Sequence, residues 1–433
     1  MASAGTRSQA RPLGARTISA LLVMGLFGQV AWTVENMYFN VFLYNAILQD
    51  TGLIALMVAL SAVVATLTTL FMGAVSDRLG KRKTLIILGY VLWGLSILAF
   101  RFLAPGQALL LGTARAAALM VVLLDCVMTF FGSTANDAAF NAWVTDVTVP
   151  GNRGRAQGIL NMLPLLSMLL VFGALDPLTR QGRWADFFLA VGLATLLAGL
   201  LGALLIREPP ASPATDPYLP VLLHGFRPGV IRQNKRLYAA LLGLAVHGIA
   251  AQVYMPYLII YLQSYLNITD YALILGVVLL GAAALTLLSG PLIDRFGKAR
   301  VAVPAVLLGA LGLLGMFVSR GRPALMLSGF FMIGGSMVAA ACLGGLVQDG
   351  IPPGMAGRFQ GVRMIFAVLL PMVIGPFIGN AAIRGSTEHY VELGMTRQVP
   401  TPAIFPVAAA VLTLLLPVLM ALGKGSHQKS GIL

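Results

Sequence analysis

Three acidic side chains stand inside long apolar runs. Glu35 lies in Trp32-Thr-Val-Glu35-Asn36-Met-Tyr38-Phe39-Asn40, and Asp125 and Asp137 lie in a second run further along the chain. A charged group in such surroundings is costly, so it serves either to take up a proton or another cation or as a hydrogen-bonded structural acid. Glu35 and Asp125 are the candidates for the first role, coupling a cation to some larger process. Around Asp125, the residues Thr129, Gly132, Ser133, Asn136, Asp137, Phe140 and Asn141 recur at helical spacing and form one polar stripe. Gln29, Thr33, Asn36 and Asn40 form a similar stripe around Glu35. A polar stripe must face water or protein, and these two are predicted to face each other. Arg115 on the Asp125 run offers that acid a structural partner, and Asp137 has a second reading as part of a gate at the end of its run.

A further set lies beyond the middle of the chain. His247, Tyr254, Tyr257 and Tyr261 share roughly one helical face, with Gln252 nearby and Pro256 expected to bend the helix. Each has a plainer reading, His247 as a packing residue and the tyrosines as anchors near the membrane surface. Taken as a cavity, Trp32, Asn36, Asn40, Asp125, Thr129 and Asn136 on one side and Gln252, Tyr254 and Tyr257 on the other offer many hydrogen-bond partners and little positive charge. That chemistry suits a neutral hydroxylated solute, with Trp32 and Tyr257 stacking on the apolar face of a sugar ring.

The elements that must carry these groups are membrane helices. The chain is 58% hydrophobic and 10% charged over 433 residues, with a mean hydropathy of +0.88, too apolar for a soluble domain of this size. About 20 apolar residues cross a bilayer. Twelve such runs are read at 17–47, 52–74, 84–104, 112–143, 156–176, 185–206, 237–262, 271–291, 301–319, 323–347, 361–383 and 402–423. The first and fourth are overlong, so part of each is expected to tilt or protrude. An even count puts both termini on one side.

The runs fall into two copies. Gly73-Ala-Val-Ser-Asp77-Arg78-Leu-Gly80-Lys81 recurs as Gly290-Pro-Leu-Ile-Asp294-Arg295-Phe-Gly297-Lys298, each read as a short polar turn after a span. Asp146, Pro150, Gly154, Arg155, Gln157 and Gly158 recur in order as Asp349, Pro353, Gly357, Arg358, Gln360 and Gly361. An internal repeat of this length means two related helix bundles. The expected division is a six-helix bundle over 1–206, a Pro- and Arg-rich linker over 207–236, and a second six-helix bundle with a short tail over 237–433. Gly73 and Gly80 suit a tight turn and close helix approach, while Asp77 suits a helix cap or an ion pair. Ala299 stands where the first copy has Arg82, so the second copy is the weaker.

Of the 29 Lys and Arg residues, 21 lie on the side of the termini and eight, all Arg, on the other. That bias predicts cytoplasmic termini and a cytoplasmic linker. It also accounts for the net charge of +14 through anionic lipid headgroups rather than nucleic acid. Arg7 to Arg16 form a basic arm leading into a first span without a cleavage site. Tyr218 to His224 in the linker reads as a tether or as a segment lying on the membrane surface. Cys126 and Cys342 sit inside spans, which predicts no disulfide, and no metal-ligand spacing, nucleophile and base set or phosphate loop occurs. The expectation is a monomer that is no enzyme and needs no cofactor.

These features together resemble the major facilitator superfamily: six plus six spans, a basic central linker, the Gly-x-x-x-Asp-Arg-x-Gly-Lys loop after the second and eighth spans, and the Gly-Arg-x-Gln-Gly loop after the fourth and tenth. The resemblance covers nearly the whole chain. It implies an all-α integral membrane protein, two six-helix bundles rocking about a central cavity lined by the first and fourth spans. It also implies a cytoplasmic gate in which Asp77 and Arg155 join a charge network, echoed by Asp294 and Arg358, with Gly73, Arg78, Gly80, Lys81, Asp146, Arg295, Gly297 and Asp349 around them. A plainer reading gives these loops topology alone. The run Trp32 to Tyr44 and Asp146 resemble the sugar:cation symporter branch, although Gln29 and Val30 stand near where that branch carries a sugar-binding Asp. That likeness implies uptake of a small polar solute with H⁺ or Na⁺. The alternative is a proton-coupled exporter of amphipathic drugs or lipids, favoured by Met- and Leu-rich walls, with a non-transporting receptor as a third reading.

Overall fold

The computed structural model describes residues 13–104, 113–208, 224–352, 356–385, 390–392, 395–397 and 399–424. Most of the basic arm, the linker from 209 to 223, Pro353 and the end of the tail therefore lie outside the described residues. Twelve helices are long and apolar enough to cross a membrane: Ala15–Ile47, Thr51–Leu79, Arg82–Leu103, Ala114–Val147, Asn152–Arg180, Trp184–Leu205, Lys235–Tyr265, Tyr271–Phe296, Lys298–Val318, Arg322–Gly350, Gly361–Arg384 and Ile404–Gly423. They are numbered here as spans one to twelve. Each coincides with a run read from the sequence. A two-stranded antiparallel hairpin, Tyr390–Glu392 with Met395–Arg397, lies between the last two spans.

The repeated motif is more helical than a polar turn. The second span continues through Asp77 and Arg78 to Leu79, and the eighth through Asp294 and Arg295 to Phe296. Only Gly80 and Lys81 separate the second span from the third, and only Gly297 the eighth from the ninth. Gly80 and Gly297 have φ of 62° and 88°, a left-handed conformation that a side chain disfavours. These glycines reverse the chain within one residue or two, and in the first copy this brings Asp77 beside Arg82.

Several spans are not uniform α-helix. π-helical segments occupy Val34–Phe39 and Leu43–Ile47 in the first span, Ser133–Phe140 in the fourth, Val171–Leu175 in the fifth, Tyr261–Tyr265 in the seventh and Ile365–Leu369 in the eleventh. An i→i+5 turn inserts a residue and rotates the helix beyond it, and such segments are frequent at functional sites. In the seventh span Pro256 sits in a 3₁₀ turn, Met255–Tyr257, which ends the helix Lys235–Tyr254, since proline supplies no N–H to its ladder.

By packing, the chain groups into two compact units. One holds Met1–Glu35, Leu67–Gly112 and Leu123–Thr215; the other holds Asn36–Thr66, Thr113–Val122 and Asp216–Leu433. The boundary thus runs through the first, second and fourth spans, and in the first it falls inside the π segment. Within each unit small residues let helices approach closely, as membrane packing requires. In the first unit, a Cβ on Gly94 would lie 2.6 Å from the Leu196 amide nitrogen; in the second, one on Gly312 would lie 2.1 Å from that of Met332.

Candidate functional site

In the first unit, Glu35 of the first span meets the polar stripe of the fourth. Glu35 is 7% exposed and Asp125 1%. The Thr129 hydroxyl donates to Glu35 Oε1 at 2.8 Å. Glu35 Oε2 and Asp125 Oδ1 are buried and have no hydrogen-bond partner among the described residues. Asp125 and Asp137 lie close enough for their charges to act on Glu35. Asp125, Thr129 and Ser133 follow one another at i, i+4 on one face, so the α-helix brings all three to the same side. Beyond Ser133 the π segment changes the phase. Asp137 is half-buried, and Asn141 is exposed with its amide on the Asp137 carbonyl at 3.2 Å.

Asn136 is drawn into a buried chain of bonds linking three spans. Its Nδ2 donates to the Tyr90 hydroxyl at 2.7 Å, which donates to the Met24 carbonyl at 2.6 Å. Gly28 backs this junction: a Cβ there would lie 2.2 Å from Asn136 Nδ2 and 2.5 Å from the Tyr90 oxygen. Trp32 packs with its ring centroid 5.0 Å from Trp93, and a Cβ on Gly132 would meet both rings. Tyr90 and Trp93 escaped the sequence reading because two aromatics at helical spacing look the same whether they pack or bind. Their span, Arg82–Leu103, carries no acidic residue to mark it.

In the second unit Asn40 is fully buried and gives its Nδ2 to the Asn36 carbonyl at 2.9 Å, while Asn36 itself is exposed. His247 Nε2 lies 3.0 Å from Ser336 Oγ and 3.1 Å from the Ser336 carbonyl. Tyr254 is buried with its ring 6.1 Å from Phe405. Both line a void of about 10 Å³ with Met332 and Leu412, which is room for about one water. Gln252 is half-buried against Gly375. Tyr257, fully buried, directs its hydroxyl to the Pro376 carbonyl at 2.8 Å, with the Thr51 carbonyl at 3.3 Å. Thr51 also donates to Asn380 at 2.8 Å. Tyr257 therefore ties the start of the second span to the eleventh.

The repeated acids sit in charge clusters at span ends. Arg82 reaches Asp77 at 2.6 Å, Asp146 at 3.0 Å and Ser76 at 2.8 Å. It joins the end of the second span, the start of the third and the end of the fourth. Arg155, expected in the same charge network as Asp77, is exposed, and the residue that pairs with Asp77 is Arg82. In the second copy Ala299 replaces Arg82, and its neighbour Lys298 pairs with Asp349 at 2.6 Å. Asp294 and Arg295 are exposed. Arg358 lies in the helix Ala356–Met364. Arg78 is exposed, and Gly73 lies within the second-span helix.

Twelve apolar helices with paired acid and base clusters at the ends of repeated spans define a multi-pass membrane transporter. The chain matches the major facilitator superfamily over residues 21–376 and belongs to that family. No curated protein matches it. Among solved structures it is similar to the nucleoside transporter NupG, with a TM-score of 0.69 and 12% identity over 94% of this chain and 98% of that one. It is similar also to a bacterial homologue of the human lysosomal transporter Spinster, in an inward-facing, occupied conformation, with a TM-score of 0.68 and 15% identity over 96% and 98%. The xylose transporter XylE from E. coli, partially occluded and inward open, gives a TM-score of 0.66 and 12% identity over 93% and 97%. At these identities the likeness is one of fold.

Proposed function

We propose that this chain takes up a small neutral hydroxylated solute, such as a sugar, by alternating access coupled to H⁺ or Na⁺. The observation that carries the reading is the buried Glu35 and Asp125 pair. Two carboxylates close enough to interact each have a buried oxygen that lacks a hydrogen-bond partner among the described residues. Such a pair is relieved by a proton or a metal cation, and its occupancy then biases the equilibrium between conformations. Within the first unit, the Thr129 hydroxyl and the Trp32 ring, three residues before Glu35 on the same helix, supply a hydroxyl partner and a stacking surface for the solute. The fold neighbours add only that this architecture accommodates a nucleoside in one protein and xylose in another. On this reading the protein works as a monomer in the cell membrane. The termini and the 207–236 linker are cytoplasmic, and Asp77, Arg82 and Asp146 brace the cytoplasmic end of the first half.

The test is uptake of labelled monosaccharides, disaccharides and hydrophobic cations into vesicles under imposed H⁺ or Na⁺ gradients. Accumulation of a sugar that collapses with one of these gradients is the expected result. Efflux of the hydrophobic cations with no sugar uptake overturns it. A reporter fused to the C-terminus and active only on the outer side would overturn the orientation.

A further inference from the structure

The internal repeat shows where the second half lacks something that the first half has. In the first half, the corner between the ends of spans two and four is filled by Arg82, whose side chain is 11% exposed, and Trp143, three residues before Asp146, is 1% exposed with its indole donating to the Arg207 carbonyl at 2.9 Å. The repeat carries these positions onto Ala299 and Leu346. Both are smaller, and both line a crevice of about 640 Å³ in the second unit. Arg236, Asp294, Phe296, Lys298, Arg300 and Asp349 also line it. Three cations, Arg236, Lys298 and Arg300, stand with two acids, Asp294 and Asp349, in this lining, so the wall is net positive, with Lys298 on Asp349 at 2.6 Å. Phe296, which lines it, also ends an apolar stripe along the eighth span, where Leu288, Leu292 and Phe296 are 73%, 50% and 48% exposed at i, i+4 spacing.

We propose that this crevice seats the phosphate head group of an anionic phospholipid, with the acyl chains laid along Leu288 and Leu292. Basic pockets between transmembrane helices suit such head groups, and each Lys or Arg near the surface contributes to holding them. The exposed leucine stripe leading out of the pocket favours a lipid over a soluble phosphate, which has no chain to place there. Bound in this way, the head group takes the place in the second half that the Arg82 side chain takes in the first. The leaflet is cytoplasmic if the orientation proposed above holds; binding itself does not depend on it, nor on what the protein transports.

The experiment uses the purified full chain in detergent, with phosphatidylglycerol, phosphatidylcholine or inorganic phosphate added at equal concentration. Melting temperature and retained lipid, measured by native mass spectrometry, are the readouts. Phosphatidylglycerol is expected to raise the melting temperature and stay bound, and the other two to do neither. Arg236→Gln, a surface change, is expected to weaken phosphatidylglycerol binding about fivefold. Ala299→Arg separates a pocket from mere surface charge, because it adds a cation while filling the space as Arg82 does. It is expected to abolish retention; equal or tighter binding in Ala299→Arg overturns the proposal. Equal protection by phosphatidylcholine, whose phosphate is balanced by choline, overturns the requirement for a net anionic head group, and equal protection by inorganic phosphate overturns the lipid assignment.

Discussion

One oxygen of the Glu35 carboxylate accepts the Thr129 hydroxyl, and the other, equally buried, has no partner among the described residues. A purely structural acid would be expected to satisfy both, because a buried charge-bearing group left half-bonded is costly. Glu35→Gln keeps the shape but cannot take up a proton or offer a charge to Na⁺. Accumulation against a solute gradient should then vanish while exchange between equal pools persists, as measured by uptake and counterflow in the same vesicles. Concentrative uptake in Glu35→Gln would move the role to Asp125 or away from carboxylates. Tyr90 makes a second test at this scale. Its hydroxyl bridges Asn136 and Met24, so Tyr90→Phe should cost about 1 kcal/mol of stability, since polar contacts in membranes average somewhat below that each. Gly28→Ala should cost more, because its Cβ would lie 2.2 Å from Asn136 Nδ2. Thermal unfolding of the two variants checks the order.

At the scale of the element, the departures from a regular helix decide which way side chains point. The π segment at Ser133–Phe140 changes the helical phase, so that Asn141 is exposed while Asp137 stays half-buried, although both share a stripe with Asp125, Thr129 and Ser133 on an ideal helical wheel. The break at Met255–Tyr257 likewise frees Tyr257 to reach carbonyls of the second and eleventh spans. In the second unit this makes Tyr257 a tie between elements, together with the Thr51 bond to Asn380 and the Asn45 amide on Gln263 at 3.0 Å. Tyr257→Phe should therefore loosen the start of the second span without emptying a solute site. A cysteine placed at Leu53, which is 8% exposed, should react with a polar thiol reagent several-fold faster in Tyr257→Phe than in the parent. Unchanged labelling together with a weaker apparent affinity for solute would return Tyr257 to the ligand.

For the molecule as a whole, the two halves carry the same motif with different bracing. Arg82 joins three helix ends in the first half, whereas in the second Lys298 engages Asp349 alone and Asp294 is exposed. Side chains around Arg82 are only 11% to 41% exposed, so its pairs are less screened than ordinary surface pairs. Asp77→Asn should leave insertion and expression intact yet strongly reduce transport, because it removes a charge that favours one conformation. Asp294→Asn should do much less. Transport rates normalised to surface expression test both, and equal losses would show that the two clusters act alike despite the missing arginine.

The sequence alone determined the twelve spans, because apolar length is a local property that can be counted residue by residue. It also determined the family, since a motif placed twice at corresponding span ends survives without any knowledge of packing. Glu35 and Asp125 stood out for the same reason: an acid in an apolar run is conspicuous wherever that run ends up. What only the tertiary structure decided was partnership. Arg82 rather than Arg155 holds Asp77, Lys298 stands in for the arginine missing at Ala299, and Tyr257 meets backbone 119 and 206 residues away. Such pairs depend on where helices cross and on how π and 3₁₀ turns rotate them, and a single-residue change of phase swings a side chain by about 100°. Hydropathy is blind to that rotation. Tyr90 and Trp93 were hidden for a related reason, because aromatic residues on a membrane helix carry no label that separates packing from polar contact until the neighbouring span is in place.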